Sequence, residues 1–280
     1  MEPLQWCRDR LLVSGNPLTA SLPFAPREQQ DRILALRALI TEIAAIPAMV
    51  AEPDVVRAKL DWWRRALDEG LPHPAVRALN DSGAAACLDP ARFQALIDGI
   101  SLTLDNPRFE NHEQAWEYFL AVGGPAVALE AELIEGQGRL VDSLRALGAT
   151  ACLVRQVRDL TLDARDNRWL VPLDIQAQYQ VTRAHALAPR ASAGFNGLVR
   201  HWLSDGLRRS GSVIRSLTAQ QSWSHRHLLI QHQLDRRLAI KLAYRPQRIL
   251  RQRVLPGQIG NAWVAWRSAR QLRRAVDRAI

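Results

Sequence analysis

Apolar residues recur at helical spacing along most of the chain, and this periodicity limits the fold more than any other feature of the sequence. Within residues 31–52, four of them keep the three-four spacing of a buried helical face: Ile33, Leu36, Ile40 and Ile43. Pro47 is expected to kink or end that helix, because it lacks a backbone donor. Residues 54–69 repeat the pattern with a second apolar stripe. The sequence therefore predicts an all-α protein.

Composition favours one large helical domain. With 280 residues and 48% hydrophobic content, the chain can bury a substantial core. No Ser/Gly-rich linker separates a second unit, so we predict a single domain over residues 1–280. Its three cysteines, Cys7, Cys87 and Cys152, are too widely spaced for a zinc site or a disulfide framework. We expect a reducing, cytoplasmic location, since no signal peptide or membrane-spanning run is evident.

Charge is distributed unevenly along the chain. Residues 196–280 contain 17 Lys and Arg against 3 Asp and Glu, whereas residues 1–195 contain 20 against 25. A strongly basic C-terminal portion therefore begins at about residue 196. Such a concentration of arginine can attract anionic lipid, phosphate or nucleic acid, or it can be the solvated face of ordinary helices. It suggests peripheral contact with the inner face of a membrane or with a protein partner.

A run of small residues interrupts the helical segment at residues 115–135. Gly123 and Gly124 remove side-chain bulk, and Pro125 removes one backbone donor. We expect a kink or a close approach between helices at this point. Small residues beside a cavity would also leave room for a ligand tail.

Three aspartates fall at helical spacing near the middle of the chain. Asp159, Asp163 and Asp166 lie at i, i+4 and i+7 of a segment predicted to be helical over residues 144–165, so they would share one face. Carboxylates stacked in this way repel one another unless a cation such as Mg²⁺ bridges them or arginines neutralise them. The spacing alone leaves open both a magnesium site and a solvated face paired with neighbouring arginines.

The segment from Arg158 to Asp174 resembles the second aspartate-rich motif of the squalene/phytoene synthase family. Asp159 and Asp163 match the two metal-binding aspartates, and Arg158 and Arg168 match the arginines on either side. Residues 60–64, Leu-Asp-Trp-Trp-Arg, resemble the end of the family's opening helix pair. The resemblance implies an isoprenoid-synthase-like bundle of helices around a central cavity, with Mg²⁺ at Asp159 and Asp163 if the protein is active.

The chain departs from the family's pattern where a first aspartate-rich motif would stand. That region retains one central acid, Glu42. The family also has a glutamine and an asparagine upstream of the second motif, and Cys152 and Arg155 stand at those positions here. Ionising a prenyl diphosphate requires opposing metal clamps to stabilise the departing pyrophosphate, so a single clamp should perform poorly. Arg155 or Arg37 could supply positive charge to a diphosphate, although neither can ligate a metal.

These departures favour a degenerate family member, a pseudoenzyme that binds lipid or a partner. The first-motif region is similar to the branch that contains the mitochondrial respiratory complex I assembly factor, so membrane-complex assembly is one such role. The alternative is an active, Mg²⁺-dependent transferase that joins two isoprenyl diphosphates head to head. The resemblance makes four residues candidates for binding substrate or diphosphate: Arg158, Arg168, Arg155 and Glu42.

Two other patterns carry less weight. The basic C-terminal portion has arginines near aromatic residues, but no nucleic-acid reading motif accompanies them, so nucleic acid ranks last among the expected partners. His225, His227 and His232 have no fourth ligand at a local spacing, and we expect them to be solvated rather than bound to a metal.

Overall fold

A computed structural model describes residues 2–50, 52–255 and 257–278. All regular structure in these ranges is helical, which confirms the predicted all-α class. The α-helices are α1 (Pro3–Leu11), α2 (Pro17–Ser21), α3 (Gln30–Met49), α4 (Pro53–Glu69), α5 (Pro74–Asp81), α6 (Pro90–Ser101), α7 (His112–Glu135), α8 (Arg139–Arg158), α9 (Leu160–Arg165), α10 (Leu173–Tyr179), α11 (Arg183–Ala186), α12 (Ala193–Ser216), α13 (Ala219–Ser224), α14 (Arg226–Tyr244) and α15 (Gln258–Asp277). Short 3-10 turns occupy Leu22–Phe24, Arg27–Gln29, Ala85–Cys87, Leu102–Leu104 and Pro246–Arg248.

Local sequence signals set many of the helix ends. Proline occupies the first turn of α4, α5 and α6, where its missing donor costs nothing. The side chains of Asn111 and Ser192 accept backbone N–H bonds at the starts of α7 and α12. Gly70 ends α4 in the left-handed conformation, which glycine adopts without strain. Pro47 lies inside α3, and the helix ends two residues later at Met49.

The two central helices, α7 and α8, touch at glycines. A Cβ atom on Gly148 would lie 2.1 Å from the carbonyl oxygen of Gly123, and one on Gly123 would lie 2.3 Å from that of Gly148. The expected close helix approach at the glycine pair is therefore confirmed. Helix α7 runs through Pro125 without ending, because neighbouring helices hold this segment in the core.

Residues of seven described helices, including Leu11 from the end of α1, line a central cavity. Helices α3, α7, α8 and α14 form most of its wall, and residues of α2 and α15 close one side. One apolar core lies among α1 to α6 and the C-terminal half of α7. A second lies among the N-terminal part of α7, helices α8 to α12 and the end of α14. This is the predicted bundle around a cavity. Within the described ranges, no helix is both long enough and apolar enough to cross a bilayer.

The expectation that the three histidines are solvated is wrong. His225, His227 and His232 are all buried. His225 lies beside Glu135, and His227 lies beside Glu130, both carboxylates of α7. His227 and His232 lie on α14, and His225 lies directly before it. Packing of this helix into the bundle buries the three rings, and their polar neighbours in the sequence do not indicate such packing.

Substituting Gly148 by alanine is expected to destabilise the protein by about 1–3 kcal/mol, because the added methyl must push the two backbones apart. Urea unfolding followed by circular dichroism measures the loss. Gly211→Ala is the matched control, since its Cβ would meet only the end of the Arg215 side chain inside another helix. There we expect equal or greater stability from better helix propensity. Equal effects at the two positions would contradict the proposed backbone contact.

Candidate functional site

The central cavity has a volume of about 320 Å³, near the lower end of the range of about 300–1,000 Å³ typical of small-molecule sites. Much of its wall is apolar, including Ala126, Val127, Leu147, Leu228 and Leu238. Charged side chains enter from three helices: Arg37 from α3, Arg155 and Arg158 from α8, and Asp235 from α14. The cavity thus combines an apolar wall with three guanidinium groups and one carboxyl group.

Arg37 is held in place by a buried carboxylate. Its guanidinium forms an ion pair with Glu130 of α7, a side chain that is 0% exposed, and it donates a hydrogen bond to Gln231 of α14. His227 Nε2 lies 3.3 Å from the second oxygen of Glu130. Burial acts to raise the pKa of Glu130, but Arg37 and His227 outweigh it and hold that pKa below its usual value. Arg37 is therefore a fixed positive group of the cavity wall.

Thr41 follows Arg37 by one helical turn and lines the same cavity. This face of α3 therefore presents a guanidinium and a hydroxyl to the cavity. Thr41 lies inside the segment where the resemblance places a first acidic motif, and Arg37 lies about one turn before it. Glu42, the acid that the sequence retains there, lies outside the cavity lining. It forms an ion pair with Arg10 of α1. The structure does not bring Glu42 together with Asp159 or Asp163.

Asp235 is the carboxyl group of the cavity wall. Burial raises its pKa to about 6, although Arg155, Arg37 and Arg158 act in the opposite direction. His232, on the same helix, has a pKa lowered to about 4 by burial, so it is neutral when Asp235 titrates. The positive charge of the cavity therefore increases as Asp235 takes up a proton.

Replacing Asp235 by asparagine is expected to stabilise the protein at pH 7 by up to about 3 kcal/mol. A carboxyl whose folded-state pKa is raised binds its proton more tightly in the folded state, so stability falls as pH rises from about 4 to about 6. Below about pH 4 both states are protonated, and the benefit should disappear. Urea unfolding across this pH range measures the difference between variant and unsubstituted protein. A constant difference at all pH values would contradict this account.

Asp159 is held between two arginines. It lies at the break between α8 and α9, where Arg158 donates to both carboxylate oxygens at 2.9 and 2.5 Å. Arg253, from the connection between α14 and α15, donates to the same two oxygens at 2.8 Å each. Burial acts to raise the pKa of Asp159, but these two guanidinium groups keep it below its usual value. Both oxygens of Asp159 are thus engaged by cations of the protein itself.

Asp163 lies one turn beyond Asp159, as the sequence spacing predicts. Its backbone N–H donates to the carbonyl oxygen of Asp159 at 3.0 Å, and its carboxylate accepts a 2.6 Å hydrogen bond from Gln156. Burial raises the pKa of Asp163 despite the nearby Arg168. Arg168 donates its backbone N–H to the Asp163 carbonyl oxygen at 2.7 Å. Asp166 is exposed at the end of α9.

This donor set does not fit a magnesium site as it stands. Asp159 is occupied by two guanidinium groups, and its neighbour Asp163 accepts a hydrogen bond from Gln156. In the part of the chain that the structure describes, no three His, Cys, Asp or Glu side chains are grouped so that they could hold a metal ion. Magnesium binding by Asp159 and Asp163 stays a prediction, and it requires both arginines to release Asp159.

Sequence reasoning identified part of this arrangement. Two of the predicted binding residues, Arg155 and Arg158, line the cavity. Arg168 is outside the cavity lining and contacts Asp163 through a backbone hydrogen bond. Asp235 and Gln231 were missed, although their spacing on α14 matches that of the cavity-lining Leu228 and Leu238. Arg253 was also missed as a partner of Asp159. It is 94 residues away in a segment without periodicity, so no local pattern could have revealed the contact.

The sequence profile of the squalene/phytoene synthase family matches residues 15–260. The chain belongs to the squalene/phytoene synthase family. No curated protein sequence matches this family member significantly. Its structure is similar to that of a dehydrosqualene synthase in complex with ligand, with a TM-score of 0.80, 15% identity and 97% of each chain covered.

Two further structures share the fold of this squalene/phytoene synthase family member. YisP from Bacillus subtilis subsp. subtilis strain 168 superposes with a TM-score of 0.69, 15% identity and 95% of each chain covered. Squalene synthase HpnC from Alicyclobacillus acidocaldarius gives a TM-score of 0.59 and 18% identity, over 97% of this chain and 94% of that one. At these identities the structural similarity establishes the fold alone.

Proposed function

We propose that this family member binds an isoprenoid with an anionic headgroup in its central cavity, without the metal-dependent condensation of two isoprenyl diphosphates. The observation that carries the proposal is Arg37, which Glu130 fixes on α3 about one turn before the segment, beginning at Ile40, where the resemblance places metal-binding acids. A guanidinium repels a metal ion but attracts a phosphate or diphosphate directly.

The charges around the cavity support an anionic headgroup. Arg37, Arg155 and Arg158 converge on it from two helices, and Asp235 is the acid among its lining residues. Guanidinium groups form paired hydrogen bonds with phosphate oxygens, and such charge-assisted bonds are stronger than neutral ones. The apolar part of the wall offers a place for a hydrocarbon tail, whose burial supplies binding energy in proportion to its area.

The arginines at Asp159 argue against condensation. Magnesium would need at least one oxygen of Asp159, and each oxygen already accepts hydrogen bonds from Arg158 and Arg253. Releasing them would leave Arg158 and Arg253 facing the incoming cation, which adds an electrostatic penalty. The alternative, an active head-to-head prenyltransferase, requires this rearrangement and a second metal clamp.

Pyrophosphate release separates the two functions. Purified protein with farnesyl or geranylgeranyl diphosphate and Mg²⁺ is expected to release no more pyrophosphate than the variant D159A/D163A. Release above that variant, with formation of a longer hydrocarbon product, would overturn the proposal. Binding of the same diphosphates, measured by calorimetry, should still be detected.

A role in the assembly of a membrane complex is consistent with a binding protein of this kind. If the protein has this role, deletion of its gene should cause a respiratory or quinone defect. The D159A/D163A variant should still rescue that defect, because neither aspartate lines the cavity. Failure of D159A/D163A to rescue, at normal protein level, would count against a non-catalytic role.

A further inference from the structure

Helix α15 exposes large apolar side chains on the side facing away from the bundle. Ile259 is 90% exposed, Trp263 is 54% exposed and Trp266 is 50% exposed. With Arg270 and Arg274 they follow spacings of four, three, four and four residues, so all five share one face. We call these five residues the α15 outer face. The opposite side of the helix, including Ala265 and Ala269, packs against the bundle.

More exposed apolar side chains lie at the N-terminal end of this helix. Leu255, just before α15, is 60% exposed. The exposed pair Leu12 and Val13 belongs to the neighbouring loop, which Gln258 joins through a hydrogen bond to Ser14. Single exposed apolar residues are ordinary, but a contiguous patch on a soluble surface marks an interaction site.

Basic charge surrounds the apolar patch. Arg267 lies over the ring of Trp263 at 5.2 Å, and Arg270 lies over that of Trp266 at 5.4 Å. Within α15 there are four arginines and one acid, Asp277. Indole rings flanked by arginines suit the boundary between acyl chains and anionic headgroups, because the rings enter the apolar region while the guanidinium groups meet phosphate.

The surface adjoins the central cavity. Asn261, on the inner side of α15, lines the cavity, and so do Leu11, Pro17 and Leu18 beside the loop of Leu12 and Val13. We propose that the α15 outer face docks on an anionic membrane surface, with α15 lying in the plane of the headgroups. This orientation would place this side of the cavity wall next to the bilayer. The docking itself requires no cavity ligand, so it can hold or fail independently of the proposed function.

Vesicle co-sedimentation tests the docking. Full-length protein should bind vesicles containing phosphatidylglycerol far better than vesicles of phosphatidylcholine alone, and high salt should weaken the binding. We expect W263S/W266S to reduce binding at least about tenfold, since two indole rings lose their apolar burial. R270E/R274E should reduce it to a similar extent by reversing the charge.

Two control variants have matched chemistry elsewhere on the surface. L173S/L187S removes two exposed apolar side chains of other segments, and R65E/R77E reverses two exposed arginines of α4 and α5. Both are expected to bind vesicles like the unsubstituted protein. Because all substituted side chains are exposed, thermal unfolding should remain unchanged and distinguish lost docking from lost folding.

Three results would overturn the proposal. The first is no binding to anionic vesicles, or equal losses in the α15 and control variants. The second is a stable dimer that W263S/W266S converts to monomers, since a second copy of the chain would then cover the face. The third is salt-dependent retention on DNA that exceeds retention on the anionic vesicles.

Discussion

Replacing Arg37 by methionine is expected to destabilise the fold by about 3–5 kcal/mol, because it leaves the fully buried carboxylate of Glu130 without its guanidinium partner and with the ring of His227 beside it. Removing one member of a buried ion pair exposes the full desolvation cost of the other. The pKa of Glu130, held down largely by Arg37, should rise in the variant, so the loss of stability should be smaller at acidic pH. Chemical unfolding at several pH values measures both effects.

The double variant R37M/E130M provides the first control. With both charges replaced by apolar groups of similar length, much of the lost stability should return. A second control is R92M, which breaks the ion pair between Arg92 of α6 and Glu132 of α7. Glu132 is buried like Glu130, but neither residue of this pair lines the cavity. R92M should destabilise the protein without changing cavity binding in the folded fraction. If R37M were as stable as the unsubstituted protein, Arg37 would not be a fixed group of the site.

Replacing Arg155 by glutamine is expected to weaken the binding of farnesyl diphosphate about ten- to hundredfold, the loss typical of one hydrogen-bonding partner of a charged group. Arg155 lines the cavity and its side chain is exposed, so its removal should lower stability only modestly, through the loss of one of the three positive charges that act on Asp235. Calorimetric titration measures the affinity, and thermal unfolding verifies the fold.

Arg165→Gln is the matched control for Arg155→Gln. It removes the same charge from α9, where the side chain is exposed and outside the cavity lining. Its affinity for farnesyl diphosphate should equal that of the unsubstituted protein. If the two substitutions weakened the affinity equally, binding would depend on the overall charge of the protein and not on an arginine inside the cavity.

Helical periodicity was sufficient to predict the fold class, because apolar stripes on α3 and α4 require burial wherever the helices pack. The glycines of α7 likewise indicated a close helix contact, since an added Cβ has no room there. The break between α8 and α9 was not predicted. Residues 144–165 have the pattern of one helix, but the backbone departs from helical geometry at Asp159. The single-domain organisation stays a prediction.

The candidate site was harder to predict, because its key contacts join residues that are distant in sequence. Arg37 meets Glu130 and Gln231, and Arg253 meets Asp159. Motif resemblance drew attention to Asp159 and Asp163, but it could not indicate that two guanidinium groups engage Asp159. Glu42 was a reasonable candidate as the remaining acid of its region, and only packing directs it toward Arg10.

The central claim is that arginines, and not a metal clamp, hold the anionic headgroup. Its most direct test is a calorimetric titration of the protein with farnesyl diphosphate in the presence of Mg²⁺ and again in EDTA. The account predicts the same affinity in both buffers, and an affinity in D159A/D163A that is equal or higher, because removing Asp159 frees the guanidinium of Arg158. Binding that requires Mg²⁺ and disappears in D159A/D163A would contradict it.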